Sequence, residues 1–376
     1  MNEPHFSDAP SEKHALAAPA PPAAPGGGQT SSRVACDEPL LGRVAAASRR
    51  QLGRSDIDVG LLGLGCWAIG GPLWQGEEAH GWGRVDDAQS IRAIHRALDL
   101  GVVLLDTADV YGAGHSESVL GRALEGRRQQ VVIATKFGKT FNEFTHQLTG
   151  ENASAHYVRQ ACEASLRRLR TDVIDLYQFH LNGHDPAHAA AVRETLEDLV
   201  QLGKIRHYGW STDFPDGARV FAEGPHCAAL QFQMNALDDA PAMVELCEQT
   251  GLLGINRGPL AMGLLTGKYR PGGQLGIDDV RGTKSPAWMK YFCDGRPNPR
   301  WLRRLEAVRE ILQLGGRTPV QGALAWFWAR SPSVLPIPGF RTAAQVEENL
   351  GALRFGPLPP PAVTEIETLL GPDGEA

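Results

Sequence analysis

Short runs of apolar residues recur along the chain without polar alternation: VVLL at 102–105, VVIAT at 131–135 and VIDLYQF at 173–179, then runs at 205–210, 228–232, 252–255 and 334–337. Such runs read as strands buried on both faces. The segments between them carry helical spacing. In 86–100, Ile91, Ile94, Ala97 and Leu98 form one apolar stripe, and Asp86 stands at the N-cap position. Further helices are expected at 116–125 with Ser116 as cap, at 154–169, and at 188–202 ending at Gly203. Others follow at 216–222, 240–249, 300–314, 319–330, 341–352 and 361–370. A hairpin of 50–55 with 57–64, turning at Gly53 and Asp56, is expected to precede them. Segments 137–153 and 257–298 read as loops, the second long and rich in Gly and Pro. About eight strands alternate with helices, which favours an α/β fold of the (β/α)8 TIM barrel type, with an N-terminal β-hairpin, over a doubly wound sheet. The glycine-rich stretch 60–65 lacks GxGxxG spacing and leads into no helix, so it reads as a first barrel strand or a close backbone approach.

Composition narrows the function classes. The 376 residues are 42% hydrophobic, ample for one large core, and carry a net charge of -6 with both signs mixed. That balance argues against a nucleic-acid binder. Six cysteines (Cys36, Cys66, Cys162, Cys227, Cys247 and Cys293) form no CxxC pair and are expected to be reduced, mostly buried thiols of a cytoplasmic protein. No apolar run approaches the roughly 18 residues of a membrane span, so no membrane partner is expected. No signal-peptide stretch opens the chain, and the histidines show no metal-binding spacing. Residues 1–49, rich in Ala and Pro and with a Gly26-Gly27-Gly28 run, are expected to be a disordered extension, leaving 50–370 as the barrel.

Three of the buried runs deliver a titratable side chain at their C-terminal end. Asp106 ends the first, with Tyr111 just beyond; Lys136 ends the second and His180 the third. In parallel α/β proteins that edge is where ligands bind. Taken singly, each has an ordinary structural explanation as a cap, a half-buried aromatic, a solvated strand end or a core histidine. Their joint placement points to one pocket. A carbonyl that accepts hydride at carbon develops negative charge on oxygen, and a nearby proton donor lowers the barrier. Tyr111 can be that donor. Lys136 would favour its phenolate, Asp106 would hold Lys136 charged and oriented, and His180 would donate a hydrogen bond to the substrate oxygen.

The blocks LLDTADVYGAGHSESVLGRAL (104–124), VVIATKFG (131–138), DLYQFH (175–180), GPLAMGLLTGKY (258–269) and IPGFRTAAQVEENL (337–350) resemble the aldo-keto reductase family, in the family's order and over residues 51 to about 370. The branch most similar includes bacterial sugar and aldehyde reductases and the potassium-channel β subunits. The resemblance implies a (β/α)8 barrel, NADP(H) as cofactor, and an oxidoreductase that reduces aldehydes and ketones, with Tyr111, Asp106, Lys136 and His180 as its catalytic tetrad. It also implies nicotinamide contacts at Ser211, Thr212 and Gln231. Thr212 departs from the family's asparagine. Arg257 departs from its stacking aromatic, and can stack through its guanidinium or meet a pyrophosphate or an acidic substrate. The loop 258–268, with Gly258, Pro259, Leu260, Gly263 and Lys268, would wrap the pyrophosphate. Gly339, Arg341, Gln345 and Asn349 match the adenosine site; the last three are spaced to share one helix face, with Arg341 meeting a 2′-phosphate.

For the small-molecule carbonyl substrate, Trp67, Trp74, Trp82 and Phe141 are the expected pocket walls. The alternative within the same branch is an NADP(H)-binding regulatory or partner subunit with little turnover. A Schiff-base aldolase using Lys136 is a further alternative, disfavoured because Asp106 would raise the lysine's pKa. Oligomeric state is not encoded in any of these patterns.

Overall fold

The computed structural model describes residues 49–269 and 273–371; apart from Arg49, the extension expected at 1–49 lies outside them. Eight parallel strands form one sheet in chain order: β1 (Leu64–Gly65), β2 (Leu104–Asp106), β3 (Val132–Phe137), β4 (Ile174–Phe179), β5 (Ile205–Ser211), β6 (Cys227–Gln233), β7 (Leu253–Arg257) and β8 (Val334–Pro336). Gly63 N–H donates to Pro336 O at 3.1 Å and Gly65 N–H to Pro338 O at 3.0 Å, closing the last strand onto the first. A side chain at Gly65 would sit 2.9 Å from Ile337 O, so the closure needs a glycine there. The fold is a (β/α)8 barrel.

The outer helices form where apolar stripes and caps predict them. The first, Asp87–Asp99, is capped by Asp86, which accepts from Gln89 N–H. Ser154 and Thr318 cap Ala155–Leu169 and Pro319–Arg330 in the same way. The helix after β2 differs from expectation. It runs His115–Ala123 from Gly114, at φ 93°, and the Ser116 hydroxyl bonds Cys66 O and Thr107 Oγ1 instead of capping.

The N-terminal hairpin is shorter than expected, Arg50–Gln51 against Asp58–Val59. Its Leu52, Ile57 and Val59 join Leu104, Ala134, Leu176, Ala229, Ile255 and Leu335 in one apolar cluster that fills the barrel and seals its N-terminal end. The segment read as a loop at 137–153 contains a second hairpin, Lys139–Asn142 with Gln147–Glu151. It joins Trp74–Gln75 and Glu78–Ala79 in a four-stranded sheet. Segment 257–298 is also more ordered than expected, with a 3-10 turn at Ala261–Thr266 and a small hairpin, Phe292–Cys293 with Arg296–Pro297. Among the described residues, no helix is long and apolar enough to cross a membrane, and Cys66, Cys162, Cys227, Cys247 and Cys293 are free, all but the last buried.

Candidate active site

Above the apolar filling of the barrel lies a polar layer that the strand register creates. Asp106 pairs with Ala134 across β2 and β3, Lys136 with Gln178 across β3 and β4, and Gln231 with Ser211 across β6 and β5. Lys136 is fully buried. Its ammonium donates to Asp106 Oδ1 at 2.5 Å, Thr107 O at 2.8 Å and Tyr111 Oη at 3.1 Å. Those are all of its donors. A lysine so committed is no nucleophile, which removes the Schiff-base alternative. The His180 ring meets the Tyr111 ring edge-on at 6.0 Å between centroids, and Trp67 stacks on Tyr111 at 5.8 Å.

Burial and charge set the protonation states. Burial alone would lower the Lys136 ammonium, but Asp106 and Tyr111 outweigh it and hold its pKa above the ordinary value. Burial pushes the Tyr111 phenol up; Lys136 pulls the other way, as expected, without cancelling it. The phenol therefore keeps its proton at neutral pH, as a donor must. His180 is held well below its ordinary value by burial and by the cations Lys136, Lys139 and Arg257, and is neutral.

A cavity of about 980 Å³ opens over this layer and is lined by Asp106, Tyr111, His180 and Ser211. Of the expected walls, Trp67 and Trp82 line it, whereas Trp74 and Phe141 do not. Both belong to strands of the accessory sheet, and Phe141 packs on the cluster of Leu73, Ala108, Val110 and Ala113 with the Arg168 guanidinium 5.9 Å from its ring centre. Trp288 and His80 line the cavity instead from loops, and Leu148 from the second hairpin, positions whose facing has no local sequence signal.

The expected cofactor residues fall into two sets. Arg257, Gly258, Pro259, Leu260, Gly263 and Lys268 all border the cavity. Ala261, Met262 and Gly263 are consecutive left-handed residues at φ 49°, 55° and 92°, and the Ala261 and Gly263 N–H groups donate to Gly258 O and Leu260 O. Gly339, Arg341, Gln345 and Asn349, beyond the neighbouring strand β8, border the cavity as well. Contacts within the chain bear on the remaining expectations, and correct the shared helix face expected of Arg341. The Thr212 hydroxyl donates to Asn182 O at 2.6 Å and accepts from Phe214 N–H, so its one donor is already spent. Arg257 is ion-paired with Asp213 at the cavity wall. Arg341 precedes its helix, Ala343–Gly351, instead of sharing a face with Gln345 and Asn349; it donates to Ala68 O and Trp82 O. The Gln345 side chain completes the capping box of that helix with Thr342. Gln231 Nε2 donates to Asp106 Oδ2 at 2.8 Å, and its buried Oε1 has no partner among the described residues.

Sequence reasoning missed Arg281. Its guanidinium pairs with Asp279, donates to Met262 O at 3.0 Å and stacks 4.5 Å from the Trp82 ring centre, tying the long loop to the first loop across the cavity. Those contacts are all distant in sequence except that with Asp279.

A profile described as the aldo/keto reductase family matches residues 61–370. The aldo-keto reductase yakc [NADP(+)] of Schizosaccharomyces pombe is 31% identical over 319 residues, covering 81% of this chain and 86% of the relative. The holo form of aldo-keto reductase AKR11C1 from Bacillus halodurans superposes with a TM-score of 0.69 at 30% identity, covering 86% of this chain and 96% of that one. An aldo-keto reductase from Klebsiella pneumoniae in complex with NADPH gives 0.60 at 26% identity, covering 86% and 95%. With the profile spanning every barrel strand and both long sides of the cavity, the chain belongs to the aldo/keto reductase family.

Proposed function

We propose that this protein is a cytoplasmic NADP(H)-dependent reductase of small aldehydes and ketones, with Tyr111 as the proton donor. The observation that carries the reading is the placement of one buried ammonium, Lys136, between Asp106 Oδ1 and Tyr111 Oη. The cavity suits the cofactor. Loop residues Gly258 to Leu260, Gly263 and Lys268 border it, and the orphaned Gln231 Oε1 offers an acceptor for an amide N–H. Bound NADPH supplies the hydride that adds to the carbonyl carbon. As charge builds on the carbonyl oxygen, Tyr111 gives it the Oη proton. The Lys136 ammonium stabilises the phenolate left behind, and Asp106 keeps that ammonium in place. Neutral His180 orients the oxygen through a ring N–H. Trp67 and Trp82 exclude water and present flat apolar faces to the substrate.

Tyr111→Phe is the test. Carbonyl-dependent oxidation of NADPH should fall roughly 100- to 10 000-fold, while the Kd for NADPH, read from tryptophan fluorescence, stays within about twofold. Near-normal turnover in the variant would remove the role. Binding of NADPH by the unaltered protein without reduction of any carbonyl would instead favour a regulatory subunit.

A further inference from the structure

The polar layer contains a residue that the proton-donating trio does not account for. Gln178 is fully buried on β4, in register with Lys136 on one side and Gly209 on the other. Its Nε2 donates to Asp106 Oδ2 at 3.0 Å, alongside Gln231 Nε2 at 2.8 Å, while Lys136 takes Asp106 Oδ1. A carboxylate only accepts, so both amides are obliged to present their N–H groups to it. Gln178 Oε1 then accepts from Gln231 Nε2 at 3.3 Å and fixes the second amide as well. Below this layer the barrel is apolar and offers no competing partner.

We propose that Gln178 is a positioning residue for proton donation, its amide clamping one oxygen of Asp106 so that the other sets Lys136 against the Tyr111 hydroxyl; this rests on the reductase reading above. The lysine stem is long and flexible, and a carboxylate turns easily about its own bond. Two N–H donors on Oδ2 stop that turn, and Lys136 then has one place to stand. Gln178 touches neither Lys136 nor Tyr111 through a hydrogen bond; it acts through Asp106. Gly209, beside Gln178, is fixed by the next strand: a Cβ there would lie 2.3 Å from Ala229 O, while the Gln178 stem at 3.7 Å is in ordinary contact range.

The competing explanation is that Gln178 merely fills the barrel. Two variants of the full chain separate the two, Gln178→Leu and Gln178→Glu, assayed for reduction of benzaldehyde by NADPH from about pH 5 to pH 9. Leucine keeps the volume and loses the donor, so kcat should fall roughly 10- to 100-fold at every pH, with the Kd for NADPH within about twofold of the unaltered protein. A glutamate beside Asp106 replaces the amide donor only while it carries its proton, since two adjacent carboxylates resist joint ionisation. Its kcat should approach that of the unaltered protein in acid and decline toward the leucine variant as pH rises. A leucine variant within about twofold of normal kcat overturns the proposal. So does a glutamate variant whose activity is a constant fraction of normal across the range, which decides the matter even if the leucine variant does not fold. Failure of the unaltered protein to reduce aldehydes while binding NADPH would overturn the reductase reading itself, and this proposal with it.

Discussion

Arg341 shows how much of a single residue's role depends on what already holds it. Its guanidinium bridges Ala68 O and Trp82 O, both on the first loop, and burial lowers its pKa. An incoming 2′-phosphate would therefore compete with two carbonyls, a contest that a doubly charged acceptor wins. Arg341→Ala should raise the Kd for NADPH about tenfold and leave that for NADH nearly unchanged. Parallel titrations with the two cofactors check this, and equal shifts would take the 2′-phosphate away from Arg341. At this scale the sequence was most legible where chemistry sits at strand ends. Asp106, Lys136 and His180 each follow an apolar run, and Tyr111 lies a few residues beyond the first. It was least legible where loops decide the facing. Trp74 and Phe141 are aromatic and near the right edge, yet both join strands of the accessory sheet and neither lines the cavity. Gln178 was in plain view within DLYQFH, but its partner lies on another strand, so only the register exposes its connection to Asp106.

Among the elements, the turn that carries Tyr111 is held by a backbone contact. Gly112 has φ 62°, and a Cβ there would lie 1.8 Å from Gly70 O on the first loop. Neither atom has a side chain's freedom to move. Gly112→Ala should cost about 1–3 kcal/mol of stability and more, lower Tm, and reduce kcat by displacing the neighbouring Tyr111. Gly76→Ala is the control, because Gly76 has a similar φ of 58° with nothing within 4 Å of the added carbon. Equal Tm losses in the two variants would mean that backbone conformation alone, and not the contact with Gly70, sets the cost. The strands and most helices could be read from apolar spacing because burial imposes that spacing. The hairpin at 139–151 could not. Its turn lacks glycine and proline and uses His146 at φ 52° together with the Asn142 side chain, which accepts from Phe144 and Thr145 N–H groups. Ser116 was misread for a related reason: Gly114 starts the helix, and the serine hydroxyl has partners across the fold.

The stability of the whole molecule should carry the mark of a buried acid outside the site. Asp109 is buried, and its Oδ1 has no partner among the described residues. Burial, and then Glu117, push its pKa well above the ordinary value. Below about pH 4 the carboxyl is protonated both folded and unfolded, and it favours neither state. Above that, the unfolded chain ionises first, so stability declines until pH passes the raised folded value. Asp109→Asn removes this dependence. Its Tm should match that of the unaltered protein in acid and exceed it by roughly 2–4 °C at pH 8; a variant less stable at pH 8, by thermal unfolding, would show that the carboxylate is wanted ionised. The alternation of apolar runs announced the barrel, and the sealed end is what gives that barrel a direction. Leu52, Ile57 and Val59 stopper the floor beneath the polar layer with hydrocarbon alone. On the reductase reading, with hydrocarbon below and the cavity above, a proton given up by Tyr111 would be replaced from the cavity side.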